Sequence, residues 1–456
     1  MLALGVVGAL ASAGPASADT GLTLEDAIAL ALERNPQVRQ ARADVETAGA
    51  RVDHVRADYY PRISLGAGAD RLTLNSASPR AARSELDFSP ILPGDDNVVT
   101  VDEPPRDMWG FTRFSSDVRA EFVLWDFGQR SKELESARHD RSAARARHSG
   151  AEADTVLAVA EAYFDLLQAD AMLDVRQDFV ERRREAAELA ERLMGAGRAT
   201  RGDLARADAD LARAEADLIE ARNDAERQRL RLARAMGVRA GSMDLRVDGH
   251  SRIRDPGEWG DALEEPEWAE EHPGVRAQLE AVKARRAELE RHRRSFRPVL
   301  QAAGNYRVEK FQEGGTAPNY TVGVELRWEF FDGGRRQSRI AEARAQQQHA
   351  AAAREELHQE VLARAREAEQ DLAESNERIE FTRRALAASR EDLRMAEAGY
   401  REGVRRFGEL SDAQLDVAEA EARVAVARFD RQKALARLYW ALGRLPVDAL
   451  RHGGDR

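Results

Sequence analysis

No cysteine occurs among the 456 residues. That absence excludes disulfides and cysteine metal sites, and also a lipid-modified cysteine at a mature N-terminus. Aromatic residues amount to only 6% while charged residues reach 33%, a balance of helical and coiled-coil chains rather than of a protein built round one large core. A basic excess is missing too. The net charge is -11 and the arginines are interleaved with acids, so no concentrated cationic face is available to neutralise nucleic-acid phosphates. No segment reaches the ~20 consecutive apolar residues of a membrane-spanning helix, so any insertion into a bilayer has to use strands. Signatures of catalysis are equally absent: the nine histidines are scattered, and there is no H-E-x-x-H, no G-x-S-x-G and no phosphate-binding glycine loop. No catalytic, cofactor-binding or metal-ligating residue is assigned.

What the chain does have is a copy of itself. Asn35-Pro36-x-Val38-Arg39 returns as His272-Pro273-x-Val275-Arg276, and Tyr60-Pro61 as Arg297-Pro298, both displaced by 237 positions (273 against 36, 298 against 61). Farther along, Trp125-Asp126-Phe127-Gly128-Gln129-Arg130 returns as Phe331-Asp332-Gly333-Gly334-Arg335-Arg336, and Ala235-Met236-Gly237 as Ala441-Leu442-Gly443, displaced by 206 (332 against 126, 443 against 237). A duplication of this length predicts two copies of one unit in a quasi-symmetric arrangement. The drop in offset puts 31 extra residues (237 less 206) into the first copy.

Apolar residues step by alternating three and four along Val38, Ala41, Val45, Ala48, Val52 and Val55, a coiled-coil seam. Leu204 to Ala225 and Leu410 to Ala427 carry the same pattern. Two long helices are expected over about 131–193 and 337–399, with Leu166, Leu173 and Val180 in one and Leu372, Ile379, Leu386 and Leu393 in the other spaced by seven. At ~1.5 Å per residue each would reach roughly 90 Å, which predicts a rod. Helices over about 24–56 and 203–236 each cover near half that length. Gly195, Gly197 and Gly202 close one helical hairpin and Gly399, Gly403 and Gly408 the other, because a sharp reversal needs permissive backbone.

Four segments alternate with period two instead, which predicts strands. Over 63–70, Ile63 and Leu65 oppose Ser64 and Asp70; over 113–125, Phe114, Val118 and Phe122 oppose Arg113, Asp117 and Glu121. In the second copy Leu300, Tyr306 and Val308 oppose Gln301, Arg307 and Glu309, and Tyr320, Val322, Leu326 and Trp328 oppose Thr321, Glu325 and Arg327. Pro61 and Pro298 stand where the first strand of each copy begins, and Asp126-Phe127-Gly128 and Asp332-Gly333-Gly334 form the strand-to-helix turns. Each strand is about the ~10 residues of a tilted transmembrane strand, although a soluble half-buried sheet would alternate in the same way. In a bilayer, four strands cannot close a barrel and open edges would leave backbone groups unsatisfied, so the chain would have to oligomerise. The 31 extra residues fall in the proline-rich loop 71–112, and the second hairpin keeps only Gln312 to Pro318. Long loops of outer-membrane barrels lie outside.

In these residues the chain resembles TolC-like outer-membrane efflux proteins. The resemblance rests on Leu22-Thr23-Leu24-x-x-Ala27-x-x-x-Ala31, Asn35-Pro36, Tyr60-Pro61, the Phe331-to-Arg335 turn and two halves each reading helix, strand, strand, long helix, helix; it runs from about residue 22 to 443. It implies a mixed, predominantly α fold, internally duplicated: a long helical coiled-coil barrel plus four transmembrane strands per chain. Assembly as a homotrimer would give a twelve-stranded β-barrel in outer-membrane lipid, continued by a periplasmic helical tunnel. Such channels serve tripartite efflux or type I secretion, docked through a periplasmic adaptor to a proton-driven or ATP-driven inner-membrane pump.

The resemblance also implies a gate. The two glycine-rich hairpins would form the periplasmic tip, with Tyr400 and Arg405 bonding towards Gly202 and Asp203. Glu409 and Asp412 match constriction acids, and their spacing of three sets them on one helix face; three chains would supply carboxylates that favour cations. Acids in a first helical turn also serve simply to cap it and complement its dipole. The organisation expected is a signal peptide over 1–18, with Ala16-Ser17-Ala18 as an A-x-A site, or else a disordered Ala/Gly tail. A first repeat follows over 19–237, an equatorial connector over 238–272, a second repeat over 273–443 and a tail over 444–456. The dense acids of 264–271 fit a solvated connector better than a weak cation site. Two functions stay open at this point, a gated export conduit and a non-conducting periplasmic coiled-coil scaffold.

Overall fold

The computed structural model describes residues 21–72, 85–87, 98–100, 111–239, 245–255, 267–311 and 316–444. The expected signal peptide 1–18, most of loop 71–112, parts of the connector and residues 445–456 lie outside them. In chain order the elements are α1 (Leu24–Arg34), α2 (Pro36–Ala57), β1 (Arg62–Leu72), β2 (Glu85–Asp87), β3 (Val98–Thr100), β4 (Phe111–Trp125), α3 (Gln129–Gly195) and α4 (Arg201–Ala235). There follow α5 (Glu267–Glu271), α6 (Pro273–Arg294), β5 (Val299–Phe311), β6 (Thr316–Arg327), α7 (Arg335–Glu402) and α8 (Phe407–Ala441). The long helices hold 67 and 68 residues, ~100 Å of helix each at ~1.5 Å per residue.

One helix expected over 24–56 is two. Pro36 lacks the N–H that would continue the hydrogen-bond ladder, and it disfavours helical backbone at the residue before it. Asn35 accordingly sits at φ -62, ψ 128. Its carboxamide oxygen accepts the Gln37 N–H at 2.8 Å and its Nδ2 donates to the Ala235 carbonyl at 2.8 Å. His272 repeats half of this arrangement ahead of α6, its Nδ1 accepting the Gly274 N–H at 3.2 Å.

Two compact units emerge. The first comprises Met1–Gly49, Arg138–Ala284 and Gln347–Arg456, the second Ala50–Ala137 and Arg285–Gln346. In the first, Leu24, Ile28, Tyr163, Phe164, Leu232 and Leu435 are fully buried in the largest apolar cluster. The Tyr163 hydroxyl lies 2.9 Å from the carbonyls of Leu22 and Asp248 and 3.0 Å from Ser251 Oγ, and burial pushes its pKa up to about 12. The connector therefore packs rather than merely linking: Ile253 is buried and its N–H donates to Gln432 Oε1 at 2.8 Å. The last acids of 264–271 lie on α5, where Ala269 is buried against Val275 and Val361 and Glu270 pairs with Arg354. Glu267, Glu270 and Glu271 are themselves exposed, and only Ala269 of this short helix is buried.

The second unit is built on an antiparallel sheet in the order β1-β4-β5-β6. Its strands take in residues 71, 72, 111 and 112, so the long connection is shorter than 71–112; the second runs only over 312–315. Pro318 belongs to β6, opposite Val308, and β6 is the last strand of the sheet within the chain, a position that tolerates proline. Trp328 lies one residue beyond β6, its Nε1 donating to the Phe296 carbonyl at 3.0 Å.

Candidate functional site

The sheet reverses the usual polarity of a soluble protein. Ile63 is 74% exposed, Leu65 78%, Tyr320 80% and Val322 82%. On the opposite parity the charges pair with one another: Arg113 reaches Asp70 at 3.0 Å and Glu309 at 3.6 Å, and Arg119 lies 3.9 Å from Asp117. A soluble half-buried sheet would cover its apolar face; nothing among the described residues covers this one. β1 and β6 are also left with unpaired edges.

The strand-to-helix turns are duplicated atom for atom. Asp126 accepts the N–H of Gly128 at 3.1 Å and both the N–H and Nε of Arg130 at 2.8 and 2.9 Å. Asp332 does the same with Gly334 at 3.1 Å and Arg336 at 2.9 and 2.8 Å. Each arginine then reaches back. Arg130 Nη1 donates to the Asp58 carbonyl at 2.8 Å with its guanidinium 4.8 Å from the Tyr59 ring, and Arg336 Nη1 donates to the Ser295 carbonyl at 3.4 Å, 4.7 Å from the Phe296 ring. Left-handed backbone is needed at two successive positions, φ 54 and 83 at Phe127 and Gly128 and φ 66 and 89 at Gly333 and Gly334, so Phe127 sits where its copy uses glycine. Burial pushes the Asp332 carboxyl up, but the hydrogen bonds from Arg336 and Gly334 outweigh it and hold the group below the usual carboxylate range. Arg130 and Arg336 were not singled out in the sequence, although an arginine four residues after each turn aspartate is the legible signal. Pro61 and Pro298 immediately precede β1 and β5.

Both interhelical turns are Schellman motifs. Gly197 has φ 72, its N–H donating to the Met194 carbonyl at 2.9 Å and the Arg198 N–H to Leu193 at 2.8 Å; Gly403 has φ 79, with bonds to Tyr400 at 3.1 Å and from Val404 to Gly399 at 2.8 Å. Gly195, Gly202, Gly399 and Gly408 lie inside the flanking helices and do not make the reversal.

The contacts expected of Tyr400 and Arg405 with Gly202 and Asp203 do not form within the chain. Asp203 is occupied by a capping box, accepting the Thr200 N–H at 2.9 Å and hydroxyl at 2.8 Å. Arg405 folds back onto its own hairpin, 3.3 Å from Asp392 and 3.8 Å from Glu409. Gly399 permits this, since a Cβ there would stand 2.9 Å from Arg405 Cγ. Tyr400 packs edge-on against Phe407 at 5.6 Å, and its buried hydroxyl has no hydrogen-bond partner among the described residues. Its pKa is raised by burial and then by the charge of Asp203.

Glu409 stands in the first turn of α8, accepting the Arg406 N–H at 3.4 Å, so the capping role is realised. Asp412 is exposed and 3.7 Å from Arg206 on α4. Arg206, rather than Gly202 or Asp203, supplies this ion pair from the first hairpin, and at the turns Arg198 Nη2 donates to the Arg401 carbonyl at 3.1 Å. A deeper link joins the hairpins at Arg183 of α3, which is 5% exposed: its Nη1 donates to Ser411 Oγ at 2.8 Å and Gln414 Oε1 at 3.1 Å, and Ser411 donates to Asp210 at 2.7 Å. Arg183 lies on the buried stripe of Phe179, Ala186 and Ala190, and an arginine at a seam position is the signal that could have revealed it. Among the described residues no group of three His, Asp or Glu could hold a metal ion, and no helix is long and apolar enough to cross a membrane.

A family model described as outer membrane efflux protein matches this chain twice, over residues 27–238 and 266–444. Protein CyaE of Bordetella pertussis is 28% identical over 453 residues, covering 95% of this chain and 87% of the relative. Outer membrane protein OprJ of Pseudomonas aeruginosa is 26% identical, covering 91% and 82%. The solved outer membrane protein VceC of Vibrio cholerae superposes with a TM-score of 0.76 at 18% identity, covering 92% of this chain and 96% of that one, a likeness of fold.

Proposed function

The chain belongs to the outer membrane efflux protein family, and on that premise we propose that it is a passive conduit, gated at its two glycine-turn hairpins. It is an outer-membrane channel component of tripartite efflux or secretion systems and extends into the periplasm. The observation that carries the reading is the inverted sheet, apolar residues bare on one parity and charges paired on the other. That polarity suits strands with lipid outside and water inside. The unpaired edges of β1 and β6 call for neighbours, because an open edge in lipid strands its N–H and C=O groups; three copies sharing one twelve-stranded barrel meet that need. A periplasmic adaptor and an inner-membrane pump complete the assembly. Transport through such a conduit involves no bond-making, and no residue is given a catalytic role. The repeats 19–237 and 273–443, joined by 238–272, are read as its two structural halves.

Membrane fractionation and planar-bilayer recording test the conduit together. The protein should partition with the outer membrane and give discrete conductance steps; a soluble periplasmic protein without steps would return the scaffold reading. Glu409→Ala with Asp412→Ala should reduce cation selectivity. An unchanged reversal potential would remove these acids from the constriction.

A further inference from the structure

We propose that Arg71 and Lys310 bind the phosphate of a phosphorylated lipid in the outer leaflet, one site per chain. The inference rests on the lipid-facing reading of the sheet and goes beyond it. On the apolar parity of β1, β4, β5 and β6 these two are the only charged residues among those described, and both are exposed. They share one end of the face. Ala69 pairs with Phe114 and Phe114 with Lys310, while Arg71 pairs with Thr112, two residues farther along. With strands ~4.8 Å apart and a rise of ~3.4 Å per residue, their Cα atoms stand ~12 Å apart, within joint reach of two long side chains.

Charges on the other parity at this height are already paired, Arg113 with Asp70 and Glu309. Arg71 and Lys310 have no ion-pair partner among the described residues. A cation on a lipid-facing strand is tolerated only near the headgroups, where its stem stays along the apolar surface and its charge reaches the polar layer. Phe114 stands level with Lys310, and the Tyr306–Tyr320 pair lies on the acyl-chain side of both cations, as an interfacial girdle would. The opposite end of the face carries Leu124 and Leu326 and no charge. The cationic end is the one joined by the two interstrand connections, the longer of which belongs outside by the barrel rule. Two cations specify an anion, and the bare apolar strands beneath them specify that it carries acyl chains. Free phosphate meets only the first requirement.

The test titrates the purified full-length protein in detergent with diphosphorylated lipid A, monophosphorylated lipid A and a neutral diacylglycerol, reading retained lipid by native mass spectrometry. Each basic residue near a charged headgroup layer contributes enough that losing both should weaken binding about thirty-fold. Wild type should therefore prefer the diphosphorylated lipid. Arg71→Ala with Lys310→Ala should lose about thirty-fold, and Arg71→Lys with Lys310→Arg should bind like wild type. Equal retention by wild type and the alanine pair, with folding verified by circular dichroism, overturns the site. So does displacement of the lipid by millimolar inorganic phosphate, which would mark a free-anion site. Failure to retain any lipid, the neutral one included, would instead sink the lipid-facing reading and the site with it.

Discussion

Replacing Arg183 with methionine should loosen the two hairpins without unfolding either. The methionine keeps an apolar stem against Phe179, whose ring centre lies 4.7 Å from the guanidinium, and deletes the charge. Lost are hydrogen bonds to Ser411 and Gln414, each contributing about 1.5–3 kcal/mol when the donor is charged. Relief of desolvation offsets part of that. Burial lowers the Arg183 pKa from its ordinary value, against the opposing charges of Asp210 and Asp412, so the cation is held at a cost that the substitution removes. Ser411 can still donate to Asp210, and Gln414 to the Arg182 carbonyl at 3.4 Å. The net loss should be about 1–2 kcal/mol, or roughly a tenfold shift towards separated hairpins if the network exists only when they are together. Single-channel recording reads this directly as a tenfold rise in the ratio of open to closed dwell times. An unchanged ratio alongside a lowered melting temperature would show that Arg183 stabilises both states equally, and the reasoning that makes it a brace would be wrong.

Two further outcomes follow from the duplicated turns. Asp332→Asn should lower the melting temperature at pH 7. The wild-type carboxyl is held below the usual range, so its stabilisation is present above that range and is lost as pH falls through the depressed value; the gap between the proteins should close on acidification, and a gap independent of pH would contradict the latch. Gly237→Ala should destabilise by about 2–3 kcal/mol, because φ is 71 and a Cβ would stand 2.8 Å from both the Arg34 carbonyl oxygen and the Asn35 Cα, backbone atoms that cannot swing aside. Gly195→Ala, with nothing within 4 Å, is the control and should leave the thermal melt unchanged.

Much of the architecture was legible because it depends on local periodicity. The seam from Val38 to Val55 is buried at Val38, Val52 and Val55, and the seam of α8 at Leu410, Ala413, Val417, Ala420 and Ala427. Alternation marked all four strands of the main sheet. Boundaries failed where one residue changes the backbone: Pro36 divided a helix whose apolar spacing continues through it. Tip contacts were harder. Asp203 and Arg405 each have a nearer partner than the one the resemblance offered, Thr200 in one case and Asp392 with Glu409 in the other. A charged side chain takes the partner that its local backbone presents, and that competition is invisible in spacing.

By itself the sequence determined the duplication, the long helices, the period-two strands and the family, since each is written in residue order at intervals that helix and strand geometry impose. Only the tertiary structure decided which charges meet. It brought Arg183 to Ser411 across 228 positions and Arg206 to Asp412, and it showed that the apolar parity of the sheet is bare while Arg113 on the other parity pairs with Asp70 and Glu309. The physical reason is that periodicity is a property of one element, whereas pairing and coverage depend on what distant elements bring to the same face.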